Sequence, residues 1–141
     1  MKRPIVRGFA VAAVLAVSVW ACGETTTTPT TPTPTPVEKV TDTFTGTLAP
    51  QGVGVHPFQA KAAGTVTTTL TAVGPDNTLV LGVSVGTWDG FTCTSVVGSQ
   101  TAQLGSVLVG TATAAINLCV YVYDVGNVID SATYTVQVVH P

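Results

Sequence analysis

In Val66-Thr67-Thr68-Thr69-Leu70-Thr71-Ala72, the residues Val66, Thr68, Leu70 and Ala72 fall on one side of an extended chain and Thr67, Thr69 and Thr71 on the other. A period of two marks a half-buried strand, because successive side chains of an extended backbone point to opposite faces. The same alternation recurs on either side of this stretch. Leu79, Leu81, Val83 and Val85 alternate with Val80, Gly82 and Ser84. Leu118, Val120 and Val122 alternate with Asn117, Cys119, Tyr121 and Tyr123, and Tyr134, Val136 and Val138 with Thr133, Thr135 and Gln137.

Turn-forming residues separate these runs: Gly52-Val53-Gly54, Gly74-Pro75-Asp76-Asn77, Trp88-Asp89-Gly90 and Asp124-Val125-Gly126-Asn127. Strands are therefore predicted at Asp42–Leu48, Val55–Ala62, Thr65–Ala72, Thr78–Thr87, Phe91–Val96, Ala102–Thr111, Ala114–Asp124 and Ser131–Val139. About eight short strands with turn signals between them make an all-β, antiparallel β-sandwich, of jelly-roll or immunoglobulin-like topology.

The N-terminus is of a different kind. Lys2, Arg3 and Arg7 precede an apolar run from Gly8 to Trp20, which is shorter than the ~20 residues needed to span a bilayer and has the form of a secretory signal. Outside it no helix-length apolar stripe occurs. The run closes on Val19-Trp20-Ala21-Cys22, which resembles the lipobox of bacterial lipoproteins: an aliphatic residue, a variable one, Gly or Ala, then cysteine. The resemblance implies cleavage after residue 21 and lipid on Cys22, which would anchor the chain without a transmembrane segment. Gly23, in place of the aspartate that this family uses for inner-membrane retention, implies the outer membrane or cell surface.

From Cys22 to Pro36 the chain is dominated by threonine and proline. Each proline fixes φ and removes a hydrogen-bond donor, so the segment favours polyproline II and reads as a spacer. A proline-rich ligand for a partner domain or a site of O-glycosylation is the alternative. The organisation is thus a signal peptide at 1–21, a lipidated cysteine and linker at 22–36 and one β-sandwich domain at 37–141.

After Cys22 the cations are Lys39 and Lys61, against Glu24, Glu38, Asp42, Asp76, Asp89, Asp124 and Asp130, a formal charge of −5. Such a surface repels phosphate, so nucleic acid is excluded as a partner. With Cys22 taken by lipid, Cys93 and Cys119 remain as a pair in an exported chain, where disulfides persist. The alternative is two separate buried thiols.

Catalysis finds little support in the residues. Ser95, His56 and Asp89 form a Ser-His-Asp set on paper only, without a nucleophile elbow. His56-Pro57 reads as a strand start with the ring against a loop, and His140 falls where chains fray. The chain is expected not to be an enzyme. Asp76, Asn77 and Asp124 are weak candidates for calcium, each equally expected as a turn former; no other metal or cofactor is implied. Trp88, Phe91, Tyr121 and Tyr123 are the candidate recognition aromatics. Tyr121 and Tyr123 share a face, either as an exposed strip or as fillers of a covered central strand. Trp88 is placed at a hairpin end.

Gly64-Thr65-Val66-Thr67-Thr68-Thr69-Leu70, Asp76-Asn77-Thr78-Leu79-Val80-Leu81, Leu118-Cys119-Val120-Tyr121-Val122-Tyr123-Asp124 and Ala132-Thr133-Tyr134-Thr135-Val136-Gln137-Val138 together resemble the bacterial pre-peptidase C-terminal (PPC) domain, a β-sandwich. Thr78 stands where that family often has a second aspartate, and Ala132 where it has glycine. The resemblance implies an accessory role in substrate or surface contact. The expectation is a lipid-anchored cell-envelope accessory or binding module that presents its sandwich to carbohydrate or protein. The alternative is a structural envelope lipoprotein that associates with itself.

Overall fold

β-Branched and small residues dominate the chain after the linker, and the backbone answers with strands throughout. A computed structural model describes residues 36–141. The signal peptide, Cys22 and the linker as far as residue 35 lie outside the described residues. The strands are β1 (Val40–Leu48), β2 (Val53–Ala60), β3 (Gly64–Gly74), β4 (Leu81–Trp88), β5 (Cys93–Ala102), β6 (Val107–Ala112), β7 (Ile116–Asp124) and β8 (Ala132–His140).

These eight antiparallel strands form two four-stranded sheets, ordered β1-β8-β3-β6 and β2-β7-β4-β5. Only β4 and β5 are neighbours both in sequence and in a sheet. That interleaving is the jelly-roll order and sets aside the immunoglobulin-like alternative. The core lies between the sheets. Val66, Leu70, Val136 and Val138 from one meet Leu81, Val83, Val120 and Val122 from the other.

The alternation holds along β8, and along β7 except at Cys119, which is buried like its neighbours Leu118 and Val120, and it breaks in β3 and β4. In β3 the register with β8 shifts between Leu70 and Ala72, so Ala72 turns outward and Val73 is buried in its place. A bulge inserts one unpaired residue and reverses the facing of the residues beyond it. In β4 the residues read as the solvent side, Gly82 and Ser84, are buried as deeply as Leu81 and Val83. The ring of Tyr123 lies over Gly82, while the start of β5 folds across Gly86, where a Cβ would collide with the backbone of Thr94 and Ser95.

Strand ends differ where side chains bind the backbone. Asp76 accepts from the N–H and hydroxyl of Thr78, holding a turn at the position where the alternation predicts the start of β4. Asp89 does the same for the N–H groups of Phe91 and Thr92, so β5 starts at Cys93. It then runs on to Ala102, because the turn comes later, at Gln103–Ser106, closed by reciprocal bonds between those two residues with Gly105 at φ 85°.

The two open sides of the sandwich are filled differently. Between β1 and β2 sit Phe44, His56, Phe58, Tyr134 and His140. His56 stacks on Phe44 with centroids 5.0 Å apart and bonds the Tyr134 hydroxyl at 2.8 Å. Gly46 and Gly54 leave room for that hydroxyl, since a Cβ on either would overlap it. His56 is thus an inter-sheet residue and not a ring against a loop. Nor does His140 fray: it is 2% exposed in β8, 3.0 Å from the Asp42 carboxylate. The Lys61 N–H bonds the carbonyl of Pro141 at 2.8 Å, which fixes the backbone beyond it.

Candidate functional site

The outward face of the β2-β7-β4-β5 sheet gathers three of the four candidate recognition aromatics. Along β7 the outward positions are Asn117, Cys119, Tyr121 and Tyr123, because Leu118, Val120 and Val122 are drawn into the core. Pairing sets Val53 and Gly82 on either side of Tyr123, and Val55 and Ser84 on either side of Tyr121. The tyrosine rings lie 5.2 Å apart at 41°, half-buried, beside the exposed side chains of Val53 and Val55. The strip is therefore on the outer face, and the two rings are not fillers between the sheets.

Further along the same face, a disulfide joins Cys93 to Cys119 with a Cα–Cα distance of 5.8 Å. It ties the first residue of β5 to β7 over the top of β4, which is why β4 needs glycine at position 86. Beyond it, Trp88 extends β4 past the last residue paired with β7 and helps line a shallow hollow with Pro57, Gln59, Asp89 and Asn117. The Gln59 amide donates to the Asn117 side-chain oxygen at 3.1 Å, leaving further donors and acceptors of this pair to solvent. Phe91 stands apart from the hollow at the tip of the β4–β5 turn, 92% exposed.

Chemically the face is a platform without formal charge at its outward strand positions. Its outward positions carry aromatic, aliphatic, amide or hydroxyl side chains, glycine and the Cys93–Cys119 disulfide. From Tyr121 to Asn117 the strand advances about 13 Å, so the tyrosine pair and the tryptophan hollow are separate stations on one surface. Aromatic faces offer stacking area while neighbouring amides supply directional hydrogen bonds.

The residues considered for other chemistry lie elsewhere. Ser95 faces outward on β5 and His56 faces inward on β2, at opposite edges of their sheet, so the paper triad is not assembled. Burial of the His56 ring lowers its pKa from the usual value, and the same cause raises that of the Tyr134 hydroxyl. Asp89, the third member, is spent on the N–H groups of Thr92 and Phe91, which hold its carboxyl below the usual range.

The carboxylates considered for calcium are also engaged with their own turns. One oxygen of Asp124 accepts from the N–H of Gly126, Asn127 and Val128 at 2.8–3.0 Å, and the other from Gln51 at 2.9 Å. Gln51 and these neighbours keep that carboxyl well ionised. Asp76 is likewise held below its ordinary pKa by the Thr78 hydroxyl and N–H, with Asn77 exposed beside it. Among the described residues no three His, Cys, Asp or Glu side chains come together.

The β1–β2 side of the interior holds residues that local alternation did not bring forward. Asp42 and Phe44 are two residues apart, as are His56 and Phe58, and that spacing was the available signal for a shared face. No protein-family model matches the chain, and no curated protein matches it.

Proposed function

We propose that this chain is a lipid-anchored accessory protein of the bacterial cell envelope whose β2-β7-β4-β5 face contacts carbohydrate. The observation that carries the reading is the Tyr121–Tyr123 pair, set beside exposed Val53 and Val55 on a sheet face whose outward strand positions carry no charge. Sugar rings present apolar C–H faces edged by hydroxyls, and a ring pair with a nearby Trp88, Gln59 and Asn117 hollow offers both kinds of contact. The lipobox-like Val19-Trp20-Ala21-Cys22 and the threonine-proline spacer support placing that face outward from a membrane.

The test is retention on insoluble cell-wall and plant polysaccharides together with a glycan array. Tyr121→Ala and Tyr123→Ala should each weaken binding about tenfold, with Trp88→Ala reducing it at the second station. Silence of the unaltered protein on every glycan would refute the proposal.

A second reading, self-association, is favoured by β1. This nine-residue strand lies at a sheet edge with no proline or lysine, its one charge, Asp42, being turned in to His140, and exposed edges invite strand addition. A concentration-dependent oligomer in sedimentation that Thr45→Lys dissolves would support it over the first.

A further inference from the structure

The outward face of β4 is nearly bare of side chains. Gly82, Ser84 and Gly86 follow one another there, and Gly98 of β5 lies beside Ser84, where a Cβ would crowd the serine. So bare a strand leaves a trench beside the taller outward residues of β7. The ring of Tyr123 lies down in it over Gly82, and Tyr121, which pairs with Ser84, packs on Tyr123 at 5.2 Å. The start of β5 folds across Gly86 and closes the trench at that end.

Beneath this cover is a hydroxyl that nothing uses. Ser84 is 3% exposed, and its Oγ has no hydrogen-bond partner. Leu81, Val83 and Val85 take the inward positions of β4, so the serine side chain stands in the trench and not in the core. Of its outward neighbours Gly82, Gly86, Gly98 and Tyr121, only Tyr121 has a side chain to lay over it. Buried polar groups are nearly always partnered, and one that is not calls for an explanation. The cover itself is lightly held. The Tyr134 hydroxyl is tied to His56, whereas Tyr121 and Tyr123 rest on one another and on the glycine floor. Val55, on the far side of Tyr121, is 37% exposed, which leaves that ring a place to turn.

We propose that Ser84 is the buried contact of a subsite for a neutral sugar: the sugar ring turns Tyr121 toward Val55, stacks against it and brings one hydroxyl to the serine Oγ. This rests on the reading of the face as a carbohydrate surface and adds the residue that reads the sugar and the class of sugar read. Two demands converge on that occupant. The tyrosine rings call for an apolar face, while the serine hydroxyl calls for a neutral group that can donate or accept. A sugar ring carries both, whereas an aliphatic or aromatic ligand leaves the hydroxyl unpaired. A uronic acid is disfavoured, because no cation stands at the outward strand positions to offset burial of its carboxylate.

The full chain is titrated with oligosaccharides of glucose, mannose, galactose and xylose, and with oligogalacturonate. Calorimetry reads affinity, and NMR of the Tyr121 ring reads its displacement. At least one neutral series should bind and shift the Tyr121 signals, with oligogalacturonate about tenfold weaker or silent. Ser84→Ala should weaken that binding about tenfold, the size of one lost neutral hydrogen bond. Its urea midpoint should stay equal or rise, because the unpartnered oxygen is gone. Thr68→Val, which removes the other unpartnered hydroxyl from the core, should raise the midpoint and leave sugar binding unchanged.

Binding that Ser84→Ala leaves unaltered, a Tyr121 ring that does not shift, or equal affinity for oligogalacturonate would overturn the subsite while the carbohydrate reading of the face stands. Loss of stability together with affinity in Ser84→Ala would make the serine a structural residue and overturn it equally. Silence of the unaltered protein toward every sugar would remove both.

Discussion

Thr68 and Ser84 are buried with hydroxyls that have no hydrogen-bond partner. Thr68 faces the core from β3 between Val66 and Leu70, fully shielded from solvent. A hydroxyl in that setting has given up water for nothing, which costs on the order of 1–3 kcal/mol. Thr68→Val removes the oxygen at nearly constant shape, and urea unfolding should show a gain of about 1 kcal/mol. His56 makes the opposite case, as a polar ring that has a partner and still responds to pH. Burial lowers its pKa from 6.5, so the unfolded chain takes up a proton more readily than the folded one. Its contribution to stability is fully present above about pH 6.5 and is lost as pH falls below that value. Urea midpoints measured from pH 8 to pH 5 should fall, and the His56→Gln variant should show a shallower slope over the same interval.

Among the elements, β4 and β5 depend most on one another. Cys93 and Cys119 are 26 residues apart, and closing a loop of that length restricts the unfolded chain by about 3.5 kcal/mol in the entropy model. The paired replacement Cys93→Ser with Cys119→Ser should cost about that much in chemical denaturation, and reducing agent should destabilise the parent but not the variant. Eight strands were legible because valine and threonine alternate plainly; the edges of β1, β2, β3 and β7 moved by up to two residues, and those of β4, β5 and β6 moved where Asp76, Asp89 and the Gln103–Ser106 turn bind backbone. The facing of Ala72 was not legible, since nothing in a local alternation announces an inserted residue. The double burial of β4 was hidden for a similar reason. Gly82 and Ser84 read as a solvent side until the ring of Tyr123 is seen lying on Gly82 and the start of β5 on the neighbouring Gly86. Tyr121 and Tyr123 could be placed together by spacing, but whether they looked outward depended on which partners Val120 and Val122 found.

At the scale of the molecule, strand number and class follow from the sequence, whereas the interleaved order of the sheets does not. That order comes from pairings such as Val40 with His140, far apart in the chain. The contrast between the two open sides is likewise non-local. One collects Phe44, Phe58 and Tyr134 from three strands, and the other collects Val97, Gly110 and Ala112 from two. Because β1 lies at a sheet edge, with β8 as its only sheet partner among the described strands, it also bears on how the domain answers a pull. Load arriving through the residues before Val40 and directed away from β8 would peel β1 from it one rung at a time, beginning at the Val40–His140 pair. The contact of Asp42 with His140 and the stack of Phe44 on His56 lie on this path, at 3.0 Å and 5.0 Å. They form a latch at the start of the domain, and resistance to a pull on Val40 is expected to concentrate in those few side chains.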